Sequence, residues 1–226
     1  MKKILSLLLL LLPLLIMAQE GFTVKAKFDQ LGTNKVKASY YKNGKNIYDT
    51  LVANKKGVVL WEGRVDEPQI VRMEVLDSTL TLRVGKAASA PPFLMFVLTN
   101  AAITIAGDAK EAFAASIKSK DQEIADYEVY RKDEIAFNRA YWELQKELNR
   151  KLNAKDTVGN AVIMGKLSVL RKENQQIRMR FIDAHPASFS SVLMLTNLFL
   201  VMSNEDMYRR YSAIDQRYKD TKAYTS

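Results

Sequence analysis

Residues 121–148 read DQEIADYEVYRKDEIAFNRAYWELQKEL. One set of positions within them recurs at alternating steps of three and four, and its members are Tyr127, Tyr130, Glu134, Phe137, Tyr141, Leu144 and Leu148. Side chains at this spacing lie on one face of an α-helix. The pattern therefore predicts a long amphipathic helix whose mostly apolar stripe needs a partner to cover it.

A second segment repeats the spacing of the first. Its stripe consists of Ile163, Leu167, Leu170, Asn174, Ile177 and Phe181. A polar connection around residues 153–160, which contains Gly159, separates the two segments. They predict an antiparallel helical hairpin in which each helix covers the apolar face of the other. An intermolecular coiled coil is the alternative, but about three heptads with a matched segment nearby favour the internal hairpin.

The region before these helices has the alternating pattern of β-strands. Val24, Ala26 and Phe28, for example, alternate with polar residues, as in a half-buried strand. About eight short strands are predicted, at residues 22–28, 36–40, 47–53, 58–61, 71–75, 80–84, 93–98 and 101–105. The turn and break signals between them include Asn43-Gly44, residues 54–57 and Pro91-Pro92. These patterns predict an antiparallel β-sandwich-like domain.

The character of the sequence changes at Gly107-Asp108, where strand patterns give way to helical ones. Residues 109–117 contain alanines and spaced apolar residues, and they predict a short helix before the hairpin. After the hairpin, His185-Pro186 ends the second long helix, because the residue before proline avoids helical geometry.

Two further helices are predicted near the carboxyl end. Ser188 caps the first, which runs to Met202 and is apolar on nearly every side, as expected at the centre of a helical core. Ser203 and Asp206 resemble a capping box at the start of the second. The apolar positions of that helix are Met207, Tyr211, Ile214 and Tyr218.

These patterns divide the chain into three regions. Residues 1–18 predict a secretory signal peptide, since Lys2 and Lys3 precede an apolar run that is shorter than the roughly 17 to 25 residues that span a bilayer. A retained membrane anchor is the alternative. Residues 19–107 predict the β-rich domain and residues 108–226 a bundle of four to five helices, so the predicted fold class is α+β. We expect an exported protein of the periplasm or cell envelope, with no transmembrane span after cleavage.

The composition allows a folded protein and restricts its chemistry. With 226 residues, 48% of them hydrophobic and 26% charged, the chain can bury a sizeable core. It contains no cysteine, which excludes disulfides, thiolate metal sites and thiol nucleophiles among these residues. His185 is the single histidine, so a two-histidine metal site is excluded as well. We predict no catalytic, cofactor-binding or metal-binding residues, and no cofactor.

Two pairs of polar residues are candidates for a site. His185 with Asp183 would supply a base, but a histidine before proline at a helix end is more often a turn residue whose imidazole caps carbonyl groups. Glu134 and Asn174 interrupt the apolar stripes and would face each other. Polar residues at such positions usually set the register of a helix pair or point outward.

Aromatic and acidic residues of the first long helix offer two more candidates. Tyr127, Tyr130 and Tyr141, with Trp142 beside them, would line a ligand groove, yet aromatic stripes at helical spacing are more often core. The other candidate is a carboxylate pair of the kind that hydrolyses glycosides. The acidic residues available for it are Asp121, Glu123, Asp133 and Glu134. Their spacing does not distinguish them from a solvated helix face.

The chain is basic, with a formal net charge of +9. Removing Lys2 and Lys3 from the 34 basic residues leaves 32 against 25 acidic ones, a net charge of +7. A nucleic-acid-binding protein would gather its basic residues on one face with aromatic residues between them. Here the basic residues fall on alternate strand positions or away from the helical stripes, as on solvated faces, and they include Lys25, Lys27, Lys35, Lys37, Arg171, Lys172, Arg178, Arg180, Arg209 and Arg210. We expect no nucleic-acid partner.

Two short motifs are similar to those of a known family. They are Ile103-Thr104-Ile105-Ala106-Gly107-Asp108, and the Phe-Ile-x-x-His-Pro-x-Ser-Phe pattern of residues 181–189. Together with the predicted leader, the β-rich region and the helices, they resemble the amino-terminal accessory region of thioredoxin-like disulfide oxidoreductases of the TlpA/ResA type, as found in Bacteroidota. The resemblance covers nearly all of residues 20–226.

In that family a thioredoxin-like domain follows this region and carries a Cys-x-x-Cys pair. This chain has no cysteine, so the redox activity of the family is not assigned to any residue here. Either the chain is a fragment of a longer oxidoreductase, or the accessory region is a protein of its own. The resemblance implies a non-catalytic module of the cell envelope, whose partner is a thioredoxin-like domain or another envelope protein. The alternative is an independent periplasmic module that binds a peptide or glycan on its sheet.

Overall fold

Two four-stranded β-sheets form the amino-terminal part of the protein, in a computed structural model that describes residues 21–42, 45–84 and 86–219. The strands are β1 (Phe22–Asp29), β2 (Lys35–Lys42), β3 (Lys45–Leu51), β4 (Val58–Gly63), β5 (Gln69–Leu76), β6 (Arg83–Val84), β7 (Ala87–Ala88), β8 (Phe93–Leu98), β9 (Ala102–Asp108) and β10 (Ser116–Lys118). The sheets have the orders β10-β9-β1-β4 and β3-β2-β5-β8, and β6 pairs with β7. Both the predicted signal peptide and the predicted turn at Asn43 lie outside the described residues.

The two sheets pack their apolar faces against each other. On β1, Val24 and Ala26 are fully buried, whereas Lys25 and Lys27, which alternate with them, are exposed. The inward residues of the second sheet belong to the same core, and they include Val36, Ala38, Val71, Met73, Val75, Leu94 and Phe96. Strand pairing is mostly antiparallel, although β1 runs parallel to β9. The predicted sandwich-like arrangement is therefore confirmed, with one parallel pair that the sequence pattern did not predict.

The predicted break at residues 54–57 is a turn that carries the chain from one sheet to the other. Gly57 has a φ of 72°, in the left-handed region that favours glycine. The side-chain oxygen of Asn54 accepts hydrogen bonds from the backbone N–H groups of Lys56 and Val58, at 2.9 and 3.1 Å. Because β3 and β4 belong to different sheets, this turn joins the two layers and does not form a β-hairpin.

The strand predicted at residues 80–84 is mostly wrong. The chain forms a 3₁₀ turn at Ser78–Leu80 and then only the two-residue strand β6. Asp77 explains the difference, since its carboxylate accepts hydrogen bonds from the backbone N–H and the hydroxyl of Thr79, at 2.8 and 2.7 Å. Such local side-chain bonds compete with strand pairing.

The helix predicted at residues 109–117 is also wrong. A 3₁₀ helix at Ala109–Ala114 is followed by β10, which pairs with β9. Gly107 permits this return, because a Cβ atom at that position would lie 2.6 Å from both the Cα and the Cβ of Ala115. The first sheet therefore extends past the boundary that the sequence placed at residue 107.

Five helices follow the sheets in the described part of the chain. They are α1 (Gln122–Asn153), α2 (Thr157–Ala184), α3 (Phe189–Leu198), α4 (Asn204–Ala213) and α5 (Gln216–Lys219). The side chains of Asp121, Asp156, Ser188 and Ser203 accept backbone hydrogen bonds at the starts of the first four. The α+β prediction, the helical hairpin of α1 and α2 and the predicted caps at Ser188 and Ser203 are confirmed.

The connection between α1 and α2 is shorter than predicted. It consists of residues 154–156, and Gly159 lies in the first turn of α2. The backbone N–H of Gly159 donates to the carboxylate of Asp156 at 2.8 Å. A Cβ atom on Gly159 would lie 2.5 Å from the other carboxylate oxygen of Asp156, so the glycine leaves room for the cap.

The short helix α3 lies at the centre of the helical part, as its composition predicts. Its buried residues are Phe189, Ser190, Ser191, Val192, Met194, Leu195 and Leu198. It ends at Leu198, so the predicted continuation to Met202 is wrong, and Leu200 is 90% exposed. The next helix likewise ends at Ala213, before the buried Ile214 and Tyr218 that the sequence assigned to it. Among the described helices, none combines the length and the apolar character needed to cross a bilayer.

Arg131 on α1 joins the helical hairpin to the end of the first sheet. It is 3% exposed, and its Nη2 atom donates hydrogen bonds to the backbone carbonyls of Phe113 and Ala115, at 2.9 and 2.8 Å. Its Nη1 atom pairs with Glu128 on the preceding turn of the helix. Removing a buried donor leaves its acceptors unsatisfied, so these two carbonyls depend on Arg131.

We expect Arg131→Leu to lower the free energy of unfolding by about 3 kcal/mol, because two carbonyls lose their donor and Glu128 loses its partner. Chemical denaturation followed by circular dichroism measures this loss. Arg139→Leu is the matched control, since Arg139 also lies on α1 and pairs with Glu111 of the same 3₁₀ segment, but in an exposed position. Equal losses in the two variants would contradict the structural role assigned to Arg131.

Candidate functional site

A cleft of about 430 Å³ lies between α1, α2 and the segment that leads into β8. Sites for small ligands and side chains commonly have volumes of roughly 300–1,000 Å³. Residues 89–93 form one wall, and side chains from residues 131–145 of α1 form the opposite wall. Arg171 and Arg178 of α2 also line the cleft, as do Met95 and Phe113.

Hydrogen bonds hold α1 against the sheet domain near both ends of the part of the helix that lines the cleft. At one end, Arg131 donates to the carbonyl of Phe113 at 2.9 Å. At the other end, the side-chain amides of Asn149 and Asn153 donate to the carbonyl of Arg83, at 2.8 and 2.9 Å. Between these contacts, Arg139 pairs with Glu111 in an exposed position. The cleft lies between this middle part of the helix and residues 89–93.

Five aromatic side chains line the cleft, and they are Phe93, Phe113, Phe137, Tyr141 and Trp142. Phe137 and Tyr141 on α1 are stacked, with ring centroids 5.6 Å apart and an angle of 29° between their planes. Trp142 lies beside them, and Phe93 and Met95 contribute from β8. Aromatic side chains bury a large area for few rotatable bonds, which makes such walls effective in binding apolar groups.

Pro91 and Pro92 form part of the wall opposite α1. Their pyrrolidine rings restrict φ and remove two backbone donors, so this segment precedes β8 without joining its ladder. The wall is therefore rigid as well as apolar, and the sequence prediction that these prolines stand outside a central strand is confirmed.

Three side chains at the inner part of the cleft form a connected polar network. The hydroxyl of Tyr130 donates to Glu134 and accepts a hydrogen bond from the Nε atom of Arg178 at 3.1 Å. Arg178 also pairs with Glu134 at 3.4 Å. This network links α1 to α2, and it engages the one acidic side chain among the lining residues.

Burial and the carboxylate of Glu134 raise the pKa of Tyr130 well above its usual range. Burial is also the main reason why the pKa of Tyr127 is raised, with a smaller contribution from Glu134. Both tyrosines belong to the core, whereas Tyr141 and Trp142 line the cleft. The four aromatic residues that the sequence grouped together therefore have two different roles.

Arg171 differs from the other two arginines of the cleft. Its guanidinium lies 5.9 Å from the centroid of the Tyr141 ring. No carboxylate of the described residues lies within ion-pair distance of it, whereas Arg131 pairs with Glu128 and Arg178 with Glu134. Arg171 is therefore an unneutralised cation next to an aromatic wall.

A second, shallower groove of about 590 Å³ adjoins the cleft on the outer face of the second sheet. The two share Ser89, Ala90 and Met95 as lining residues. Tyr48 and Tyr41 lie along this groove and are 61% and 40% exposed. Aromatic side chains at this exposure, next to an apolar cleft, extend the candidate binding surface from the helices across the sheet.

The predicted pair of His185 and Asp183 is not formed. The imidazole of His185 stacks on the ring of Phe181, with centroids 4.5 Å apart, and the backbone carbonyl of His185 accepts hydrogen bonds at the start of α3. Asp183 instead pairs with Arg210 at 2.8 Å and with Arg209 at 3.5 Å. His185 is a turn residue, although its ring packs on an aromatic neighbour where the sequence predicted that it caps carbonyls.

The expected contact between Glu134 and Asn174 is also absent from the described residues. Glu134 bonds to Tyr130 and Arg178, while the side chain of Asn174 is buried and its amide atoms have no hydrogen-bond partner in the described part of the protein.

Arg178 is half-buried and Arg210 is buried, so the prediction that the arginines of the helices lie on solvated faces is wrong for these two.

Three of the four acidic residues that were considered for glycoside chemistry, Asp121, Glu123 and Glu134, have structural partners. Asp121 caps α1, and Glu123 accepts hydrogen bonds from the backbone N–H of Phe189 at 2.9 Å and from the hydroxyl of Tyr218. Asp133 is exposed. Among the described residues, no cluster of three or more His, Asp or Glu side chains has the arrangement needed to hold a metal ion.

The sequence patterns did not predict the cleft as a whole. The helical pattern placed Phe137 on the face that packs against α2, and neither Phe93 nor Arg171 was predicted to be a site residue. The sequence feature that indicates one wall of the cleft is the rigid apolar run of residues 90–93, which reads APPF and leads into a buried strand. That run does not show which helix lies opposite, since the two walls are separated by about forty residues in sequence.

The comparisons with known proteins give no relative from which to assign a function. No protein-family model, no curated protein and no solved structure matches this chain.

The raised pKa of Tyr127 predicts a loss of stability in alkali. The folded state keeps this hydroxyl neutral while the unfolded chain ionises near pH 10, so its contribution is complete below about pH 10 and is lost as the pH rises towards the folded value. Above pH 10 we expect the unfolding free energy of Tyr127→Phe to fall less steeply than that of the wild type, by up to about 1.4 kcal/mol per pH unit. Urea unfolding at a series of pH values measures the slope.

Tyr208→Phe serves as the control, because Tyr208 is 74% exposed. Its slope should equal that of the wild type. If Tyr127→Phe also kept the wild-type slope, the inhibited ionisation of Tyr127 would be disproved.

Proposed function

We propose that this protein is a non-catalytic ligand-binding module of the cell envelope, and that it captures an apolar side chain of an extended peptide in the cleft between α1 and residues 89–93. The aromatic lining of that cleft is the observation that carries the proposal. Binding is favoured over catalysis because Arg131, Glu134 and Arg178 are engaged with Glu128, with each other or with backbone carbonyls.

The chemistry of the cleft fits the side chain of a large apolar residue. Phe137, Tyr141 and Trp142 offer aromatic surface on one side, and the proline segment offers a rigid wall on the other. Full burial of a Leu or Phe side chain contributes about 1.5–3 kcal/mol. This contribution adds to the contacts that the rest of the peptide makes, and weak, reversible binding of this kind suits a module that presents a ligand to another protein.

The adjoining groove on the sheet favours an extended ligand over a compact one. Ser89, Ala90 and Met95 line both the cleft and the groove, so a chain anchored in the cleft can continue across the outer face of β8, β5 and β2. Peptides commonly bind with one or two side chains in pockets and the remainder along a surface.

The place and context of this binding are proposed from the sequence. The predicted leader supports a periplasmic or envelope location. The similarity to the region that precedes thioredoxin-like domains supports a module that holds a substrate or partner for a neighbouring domain. A glycan is the alternative ligand, for which the exposed rings of Tyr41 and Tyr48 would be the contact surface.

The test uses dye-labelled peptides with the sequence Gly-Ser-Gly-X-Gly-Ser-Gly, in which X is Phe, Leu or Ser. We expect the Phe and Leu peptides to bind and the Ser peptide to bind at least about tenfold more weakly, since a buried apolar side chain is worth more than 1.4 kcal/mol. Trp142→Ala should weaken binding of the Phe peptide by about tenfold. Fluorescence anisotropy measures the dissociation constants.

Leu200→Ser is the matched control for loss of an apolar side chain outside the cleft, because Leu200 is 90% exposed. It should leave the dissociation constants unchanged. Peptide binding that is insensitive to Trp142→Ala would overturn the assignment to the cleft. Binding of neutral oligosaccharides with no binding of any peptide would overturn the ligand class.

A further inference from the structure

The charges that line the cleft are unbalanced. Of its three arginines, Arg131 and Arg178 are neutralised by carboxylates of α1. Arg171 contacts the ring of Tyr141 and has no carboxylate within ion-pair distance among the described residues. A guanidinium in this situation attracts an anion, and its planar donors match the two oxygens of a carboxylate.

We propose that the ligand carries a carboxylate next to its apolar anchor, and that Arg171 binds this carboxylate. The inference rests on the proposed function, because it concerns the same cleft. The carboxylate belongs either to the carboxyl terminus of a peptide or to an Asp or Glu side chain beside the anchor. Both sources present the same group to the arginine.

The position of Arg171 relative to the anchor supports the assignment. Tyr141 forms part of the aromatic wall and also lies next to the Arg171 guanidinium. A side chain that packs on Tyr141 therefore places the adjoining backbone, and the groups attached to it, within reach of the arginine. The anchor and the charge are recognised by neighbouring residues on the two helices of the hairpin.

The cations of the adjoining groove are less suitable for this role. Lys37 and Arg72 share the buried carboxylate of Glu74, to which Arg72 lies at 2.9 Å. Arg72 also stacks over the ring of Phe93, with its guanidinium carbon 3.8 Å from the ring centroid. These two side chains are held by Glu74 and Phe93, whereas Arg171 retains its hydrogen-bonding capacity.

Three peptides of equal length test the inference. They are acetyl-Gly-Gly-Phe with a free carboxyl terminus, the same peptide as its amide, and acetyl-Gly-Asp-Phe amide. We expect at least one of the two carboxylate peptides to bind about tenfold more tightly than the neutral amide at low ionic strength. In Arg171→Gln this advantage should fall to less than about twofold, while the affinity for the neutral amide is kept.

Lys166→Gln is the matched control, since Lys166 is an exposed cation on the same helix and does not line the cleft. It should keep the full preference for the carboxylate. A preference for the first peptide identifies a carboxyl terminus, and a preference for the third identifies an acidic side chain. Equal binding of all three peptides would overturn the role of Arg171 and leave the proposed function intact. Absence of binding to any of them in the wild type would overturn both.

Discussion

The position of the helices relative to the sheets depends on the buried guanidinium of Arg131. It satisfies carbonyls of Phe113 and Ala115, which lie where the chain leaves the 3₁₀ helix and enters β10. A buried cation is stable only when its donors are satisfied, so α1 has one favourable position against the sheet. The second long helix, α2, packs against α1 in the hairpin, and α3 packs against both helices.

The cleft lies along the middle of the long helix α1, between the contacts that its two ends make with the sheet domain. With 32 residues, α1 is about 48 Å long, and its hydrogen bonds from Asn149 and Asn153 are more than four turns beyond Arg131. The proline segment lies opposite the middle of the helix. The aromatic side chains of α1 therefore face a gap, whereas those near its amino end are buried. The proposed binding of an apolar group makes use of this gap.

The short motifs that resemble a known family have structural explanations in this chain. Gly107 allows the close approach of Ala115, and Asp108 caps the following 3₁₀ helix by accepting a hydrogen bond from the N–H of Lys110. Ser188 caps α3 in the same manner. Residues with such local roles occur wherever the same turn is built, so these motifs by themselves assign no chemistry to the protein.

Periodicity, and side chains that bond to nearby backbone, are visible in the amino-acid sequence, so the strands with clear alternation, the helical hairpin, most helix starts and the α+β class could be predicted from it. The sequence could not show that Phe137 and Tyr141 face a cleft while Tyr127 and Tyr130 enter the core. All four lie on one stripe of α1. A stripe shows which residues share a face of the helix, but it does not show which part of the protein packs against them. Contacts between segments that are distant in sequence determine this packing, and the hydrogen bonds from Arg131 to the 3₁₀ segment are an example.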